Sequence, residues 1–463
     1  MLTSGILYFH IEIDAKIPLI FITSVIGITA MLGLGLVNVR YLFYLWIVTL
    51  PFSQWSLYDM GSMNLYVDRI VLVFLLLMFL FHISARNITF AKISFVELLM
   101  FGFTFFCLVS AIKSNSLERV GFGFLLSAHI LPFLGYYLAR SFVQNEKDVR
   151  SFSIAITYFS VYLAYVGICE QLYPDLVYPR YIVNPEYIFS NVGRSVGPSL
   201  EPVGYGVGLL FCLLLSIYLF SKISNFRNPI KIMAFIAILI TPIAIFFTYT
   251  RSIWAGLIIS LFILFLFYPH GKKIFAGLLL ILIVGFVFIQ TIKISETEGS
   301  AKDVVERDTI SVRISMAKAA IKMFLHRPIF GVGYSQASEK FSPHFTAVGS
   351  SWVPDQGFLI HNTFLNILAE LGITGFVPFI FILAYLAKDA VMLYRKSIEN
   401  RDIAIIFLAA YAAFIFVAMA NNMYYKFAHV LLFSMAGMVK GLLQGKLFIG
   451  VKTTVESKEH SEL

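Results

Sequence analysis

Apolar runs long enough to cross a bilayer recur along almost the whole chain, separated by short polar breaks. A spanning helix needs about 20 apolar residues. The runs near 17–37, 40–56, 69–84, 93–112, 120–139, 151–171, 203–221, 230–249, 252–268, 274–291, 364–387, 402–421 and 424–443 meet that requirement. They predict an all-α polytopic membrane protein of about 12–13 transmembrane helices. The second run is short and carries Pro51, so it is expected to tilt or re-enter. The chain reads as one integral membrane domain, 1–463, ending in a polar stretch, 452–463, expected to be a disordered tail. Met1–Lys16 fits either a short outer segment or part of a first helix.

One long interval, 292–360, breaks the rhythm. Val312 to His326 within it has helical periodicity, with Ile314, Ala317, Ile321 and Phe324 on one face. Lys318 and Lys322 point away from that face, and Arg313 lies at its edge. Long loops that carry their own structure are usually functional.

Charge orients the spans. Alternate connections are dense in Lys and Arg: Arg86 and Lys92; Arg140, Lys147 and Arg150; Lys222, Arg227 and Lys231; Lys272 and Lys273; Lys388, Arg395, Lys396 and Arg401. The intervening short connections are sparser. Cytoplasmic loops hold the positive excess, whereas long loops cross regardless of charge. The C-terminus is therefore expected in the cytoplasm. The 172–202 loop, Arg251 and the 292–360 loop then share the extracytoplasmic face.

Composition agrees. Of 463 residues 59% are hydrophobic and 13% charged, against about 25% charged in soluble domains. Mean hydropathy is +0.84. The formal charge of +9 is explained by loop charges that set topology, so no nucleic-acid partner is expected. Cys107, Cys169 and Cys212 lie in or at the end of apolar runs, without CxxC spacing, and read as packing residues. The sequence has no Asp-x-Asp, no phosphate-loop glycine motif and no His/Cys cluster. Neither a metal nor another cofactor is expected.

Four polar segments carry the candidate chemistry: Arg194-Ser-Val-Gly-Pro-Ser-Leu-Glu-Pro202, Thr250-Arg-Ser-Ile-Trp-Ala-Gly256, Arg313 followed by Pro328-Ile-Phe-Gly-Val-Gly-Tyr334, and His361-Asn-Thr-Phe-Leu-Asn-Ile-Leu-Ala-Glu-Leu-Gly-Ile-Thr-Gly375. In this order they resemble the O-antigen ligase superfamily, which includes lipopolysaccharide O-antigen ligases and related surface-polysaccharide polymerases. The resemblance covers roughly residues 190–390 and implies a GT-C-like membrane glycosyltransferase of the bacterial cytoplasmic (inner) membrane.

Physical chemistry gives the main candidates more than one reading. Arg251, between two apolar runs, is either a topological anchor snorkelling to headgroups or an anion site, since guanidinium forks suit phosphate oxygens. Arg313 either bridges to a loop carboxylate or serves the same anion. His361 either caps or packs a helix start, or acts as a base near neutral pH. Asn362 lies beside it. Glu370 could orient His361, pair an arginine or belong to a structural ion pair. Arg194 and Glu201 are supporting candidates. Tyr173, Tyr178, Tyr181 and Tyr187 suit sugar rings or an interfacial aromatic belt. Gly331, Gly333, Gly372 and Gly375 read as backbone and packing residues.

The resemblance implies His361 as the base, with Arg251 and Arg313 binding diphosphate. It implies a polyprenyl diphosphate-linked glycan donor and a glycan or lipid A-core acceptor, with membrane lipids as surroundings. Ligase and repeat-unit polymerase both fit, with ligase favoured. A lipid-linked glycan transporter is the alternative of another class, but the sequence has no visible inverted repeat and its polar motifs gather on one face.

Overall fold

The structure, a computed structural model, describes residues 27, 29–52, 56–59, 64–85, 92–115, 122–188, 191, 193–269, 271–280, 302–345 and 360–459. Most of the expected 17–37 span, the second half of the 274–291 span and residues 460–463 lie outside them. Contacts group the chain into two compact units, Met1–Phe90 and Ala91–Leu463.

The first unit holds helix α1 (Val39–Thr49), a hairpin of β1 (Ser56–Asp59) and β2 (Asn64–Tyr66), and helix α2 (Val67–Ser84). Asn38 caps α1 by accepting the Arg40 N–H at 3.0 Å. The expected span 40–56 stops early. Pro51 has no N–H to extend the ladder, the last turn tightens to bonds from Leu50 and Phe52, and an antiparallel hairpin follows.

The second unit is entirely helical in its main elements. These are α3 (Phe95–Lys113), α4 (Phe122–Phe142), α5 (Glu146–Leu172), α6 (Pro202–Lys222), α7 (Pro229–Phe247), α8 (Arg251–Phe267), α9 (Lys302–His326), α10 (Thr363–Lys396), α11 (Arg401–Ala420) and α12 (Lys426–Glu459). A wide π-type turn at Leu126–Ile130 interrupts α4 just before Pro132. It makes room for a ring that would clash with the carbonyl one turn back. Helix α12 continues to Glu459, past residue 452, where the sequence reading starts a disordered tail.

Among the described residues, nine helices are long and apolar enough to cross a membrane. Two apolar helices, Val39–Thr49 and Arg251–Phe267, are shorter. The protein is a multi-pass, all-α membrane protein.

Helix α6 is the hub. Every residue from Pro202 to Leu219 is buried. Its glycines at 204, 206 and 208 admit Tyr425, Ile253 and Phe427 respectively. Helix α12 packs as closely on α4: a Cβ at Gly437 or Gly441 would fall on the Tyr136 or Val143 carbonyl, the close backbone approach that small residues four apart permit.

Charges at one end of the bundle are matched within the protein. Arg140 pairs with Glu97 and donates to Gln444 Oε1 and the Lys92 carbonyl, both at 2.8 Å. Lys222 meets Glu146 and Asp402 at 3.1 and 3.0 Å, and Lys440 meets Asp389 at 3.0 Å.

Candidate active site

The other end collects the polar motifs. Helix α7 ends in a tight turn in which Tyr249 takes a left-handed φ of 47°, an uncommon conformation for a residue with a side chain. Thr250 then precedes α8 without a side-chain cap, its hydroxyl donating instead to the Thr248 carbonyl at 3.1 Å, and Arg251, the first residue of α8, is exposed. Trp254 braces the turn from behind, stacked on Phe246 at 4.7 Å.

The 194–201 segment is bound to this turn. The Ser195 N–H donates to the Phe247 carbonyl at 2.9 Å. Arg194 donates to the Thr248 carbonyl at 3.0 Å and to Thr250 Oγ1 at 2.6 Å. Glu170 accepts the Val196 and Gly197 amides at 2.8 and 2.9 Å, holding the segment from its other side. Glu201 caps α6 through the Gly204 N–H at 2.7 Å. Burial raises the Glu201 carboxyl above its ordinary range, against the pull of the Gly204 amide, the Tyr425 hydroxyl and Arg194. Arg194 thus holds the turn that precedes Arg251, and Glu201 holds the start of α6.

The loop between α11 and α12, Asn421 to Tyr425, bridges the Arg251 turn to the start of α10. Asn421 Nδ2 donates to Ser252 Oγ at 2.9 Å. The Asn421 carbonyl accepts from Thr363 Oγ1 at 2.9 Å, and that oxygen accepts the Met423 N–H at 2.9 Å. Tyr424 OH accepts from Asn366 Nδ2 at 3.0 Å. Both polar side-chain atoms of Asn422 are buried without a hydrogen-bond partner among the described residues. Sequence reasoning singled out none of these loop residues. Their one signal is the run Asn421-Asn-Met-Tyr-Tyr425 between two apolar helices.

His361 stands just before α10. Asn362 caps this helix, its Oδ1 accepting the Leu365 N–H at 3.0 Å, so its side-chain oxygen serves the backbone. His361 keeps an open edge to solvent, while neighbouring protein partly desolvates the ring. That desolvation, and second the positive charge of Arg313, lower the imidazole below its ordinary value. Arg313 and His361 are therefore neighbours.

Arg313 lies on α9, an amphipathic helix as expected, but its buried face differs from the expected one. Met316, Ala319, Ala320 and Met323 are inside, whereas Ile314 and Ile321 are exposed. The small alanines allow close approach to Val332, Phe341, Ile360 and Ala369. Lys318 and Lys322 are exposed. Arg313, at the flank, is exposed, and its charge acts on His361.

The glycine motifs form one backbone joint. Helix α10 breaks at Gly372, where φ is 61° and ψ −160°. The 328–333 strand of loop runs alongside the break. The Val332 and Gly333 N–H groups donate to the Ala369 and Glu370 carbonyls, each at 2.9 Å, and the Ile373 N–H donates to the Pro328 carbonyl at 2.9 Å. A Cβ on Gly331 would land on the Glu370 carbonyl, and one on Gly372 on the Ile329 carbonyl. Glu370 is buried and accepts from the Ser335 and Ala337 amides and from Asn366. It lies about 10 Å along the axis from Thr363, and these partners clasp the loop to α10. Of the expected roles for Glu370, orienting His361 and pairing an arginine find no support among its partners.

In the 172–202 loop, Tyr181 donates to the Pro198 carbonyl at 2.8 Å, whereas Tyr173, Tyr178 and Tyr187 are exposed.

A multi-pass helical bundle with arginines and a histidine gathered at one end defines the class of protein. Residues 234–380 match the family model described as O-Antigen ligase. The match takes in Arg251, Arg313, His361 and the glycine joint, and over this segment the chain is similar to the O-antigen ligase family. Arg194 and Glu201 precede the matched segment. No curated protein matches the chain.

Proposed function

We propose that the protein is a membrane-embedded, metal-independent glycosyltransferase of the O-antigen ligase type. It transfers a glycan from a polyprenyl diphosphate carrier to an acceptor hydroxyl on the extracytoplasmic face of the bacterial cytoplasmic membrane. The observation that carries the reading is the nearness of Arg313 to His361, on a framework that hydrogen-bonds the Arg251 turn to the start of α10.

In this reading Arg251 and Arg313 hold the diphosphate. Arginine forks match phosphate oxygens and stabilise negative charge as it develops on the leaving group. The acceptor hydroxyl oxygen attacks the anomeric carbon, and the carbon–oxygen bond to the diphosphate breaks. The electron pair leaves with the polyprenyl diphosphate. His361 takes the hydroxyl proton. An imidazole held below its ordinary value is neutral at physiological pH, the form a base requires. Among the described residues no three His, Cys, Asp or Glu side chains gather to hold a metal ion, and the reading gives charge neutralisation to the arginines.

The test is reconstitution of the purified protein with a defined carrier-linked glycan, with and without lipid A-core, in excess chelator. Glycan appearing on lipid A-core supports the ligase. Elongation of the carrier-linked glycan itself supports a polymerase. A product formed only on addition of a divalent ion, or glycan moved across the bilayer without any new bond, overturns the reading.

A further inference from the structure

At the same end of the second unit lies a cavity of about 380 Å³, lined by none of the residues assigned to transfer. It sits between the end of α3 and the 327–340 loop. Three cations line it: Lys113, Arg327 and Lys340. Two hydroxyl residues, Ser110 and Ser114, stand on the α3 side. Its floor is the Gly331-Val332-Gly333 backbone, and no Asp or Glu is among its lining residues.

This arrangement is electrostatically incomplete. The half-buried lysines at the other end of the bundle, Lys222 and Lys440, meet carboxylates at 3.0–3.1 Å. Here none of the three cations has an ion pair among the described residues. The Lys340 ammonium donates to the Val332 carbonyl at 2.6 Å, which fixes it at the cavity wall. Burial first, and then the nearby charge of Arg327, lower Lys340 below its ordinary value, so the two cations repel across a partly desolvated space. A cation at the end of α3 favours the helix dipole, which accounts for Lys113 alone but not for Arg327 and Lys340 beside it. The rest of the wall is apolar: Phe106, Val109 and Phe330, the last well exposed.

We propose that this cavity is a second anion site, which binds the phosphate group of a membrane lipid on Lys113, Arg327 and Lys340 while the aromatic wall takes the start of its apolar chain. A phosphate monoester brings several acceptor oxygens and up to two negative charges, which suits a planar fork beside two ammonium groups. The apolar wall favours a phosphate delivered on a lipid over free phosphate. None of its three cations is among the residues assigned to transfer.

The experiment measures lipid retention by the purified full-length protein in native mass spectrometry. The probes are dioleoyl phosphatidic acid, dioleoylglycerol and inorganic phosphate. Phosphatidic acid should be retained and dioleoylglycerol should not. The Lys113→Gln/Arg327→Gln protein should lose retention by roughly tenfold or more, since charged hydrogen bonds are being removed. The charge-reversed Lys113→Glu/Arg327→Glu protein should lose it entirely. Both side chains are exposed, and an unchanged melting temperature shows that the variants fold. Equal retention of phosphatidic acid by wild type and both variants, or of dioleoylglycerol and phosphatidic acid by wild type, overturns the site. Thermal protection by inorganic phosphate that matches phosphatidic acid overturns the lipid assignment.

Discussion

The Arg313 guanidinium bears directly on the His361 imidazole, though one belongs to α9 and the other to the start of α10. A positive charge disfavours the protonated ring, and partial desolvation does the same. The proposed base therefore stays neutral to a lower pH than a solvated histidine, whose ordinary value is about 6.5. Transfer by the wild type should hold level as pH falls through ~6.5 and decline only below it. Arg313→Gln removes the charge but leaves the desolvation, so the acid limb of its residual activity should move upward. Arg313→Lys keeps the charge and should leave the limb in place. A pH–rate profile for the three proteins checks this. An acid limb unmoved in Arg313→Gln would break the electrostatic link.

The same pair of variants separates charge from geometry. Lysine cannot offer the paired donors that a guanidinium presents to diphosphate oxygens. Arg313→Lys should lower turnover per folded molecule by roughly tenfold or more, and Arg251→Lys likewise. Lys318→Ala, on the exposed side of α9, should be near wild type. Equal losses in all three would mean that the region supplies only a diffuse positive field.

Much of this was legible in the sequence, because spans and caps are local. Apolar runs located the starts of the described apolar helices to within about five residues, whereas α1 stops at Thr49 rather than at 56, α10 runs on to Lys396 rather than to 387, and α12 to Glu459 rather than to 443. Three things were not legible. The period of α9 is compatible with two faces, and the small residues Ala319 and Ala320 won the inner one because they allow closer packing than Ile314 or Ile321. Glu370 found its partners in backbone amides of a loop some thirty residues earlier, which no spacing rule foretells. The Asn421–Tyr425 loop matters through contacts with Ser252 and Thr363, distant in the chain.

The glycine joint should behave as a structural element. Gly331 has a φ of 70° and no room for a Cβ. Gly331→Ala should cost about 1–3 kcal/mol in strain, read as a lower melting temperature. Glu370→Gln retains an acceptor for the loop amides, whereas Glu370→Leu strands them, at about 1–3 kcal/mol for each buried amide left unpaired. Hydrogen exchange at residues 333–337 should rise sharply in Glu370→Leu and little in Glu370→Gln. Turnover per folded molecule in Glu370→Gln should be near wild type; a loss beyond about a hundredfold would return Glu370 to the chemistry.

Orientation can be tested with single cysteines, since Cys107, Cys169 and Cys212 are buried. Tyr187, in the loop before α6, and Phe226, in the connection after it, are both exposed. They lie at opposite ends of one helix. The distribution of Lys and Arg predicts the first outside and the second inside. In intact cells an impermeant thiol reagent should label Tyr187→Cys and leave Phe226→Cys untouched until the cells are opened. The reverse pattern would invert the bundle and move the arginine–histidine end to the cytoplasm.

A sugar hydroxyl is far too weak an acid to ionise at neutral pH, and general-base help is worth roughly 10²–10⁴-fold. His361→Ala should lose about that factor in turnover, while binding of the carrier lipid, assigned to Arg251 and Arg313, should change little. His361→Gln keeps a hydrogen-bonding side chain but cannot accept the proton as a base does, so it should be nearly as slow. Its pH profile should also lack the acid limb, because the titrating group is gone. A packing role forecasts the opposite. The ring is partly open to solvent, and the cap of α10 is supplied by Asn362 rather than by His361, so a packing histidine replaced by glutamine would cost some thermal stability and leave the surviving protein at full speed. Turnover normalised to folded protein distinguishes the two. Near-wild-type turnover in His361→Gln would remove the residue from the mechanism. A loss of two or more orders of magnitude at unchanged melting temperature would make it the base.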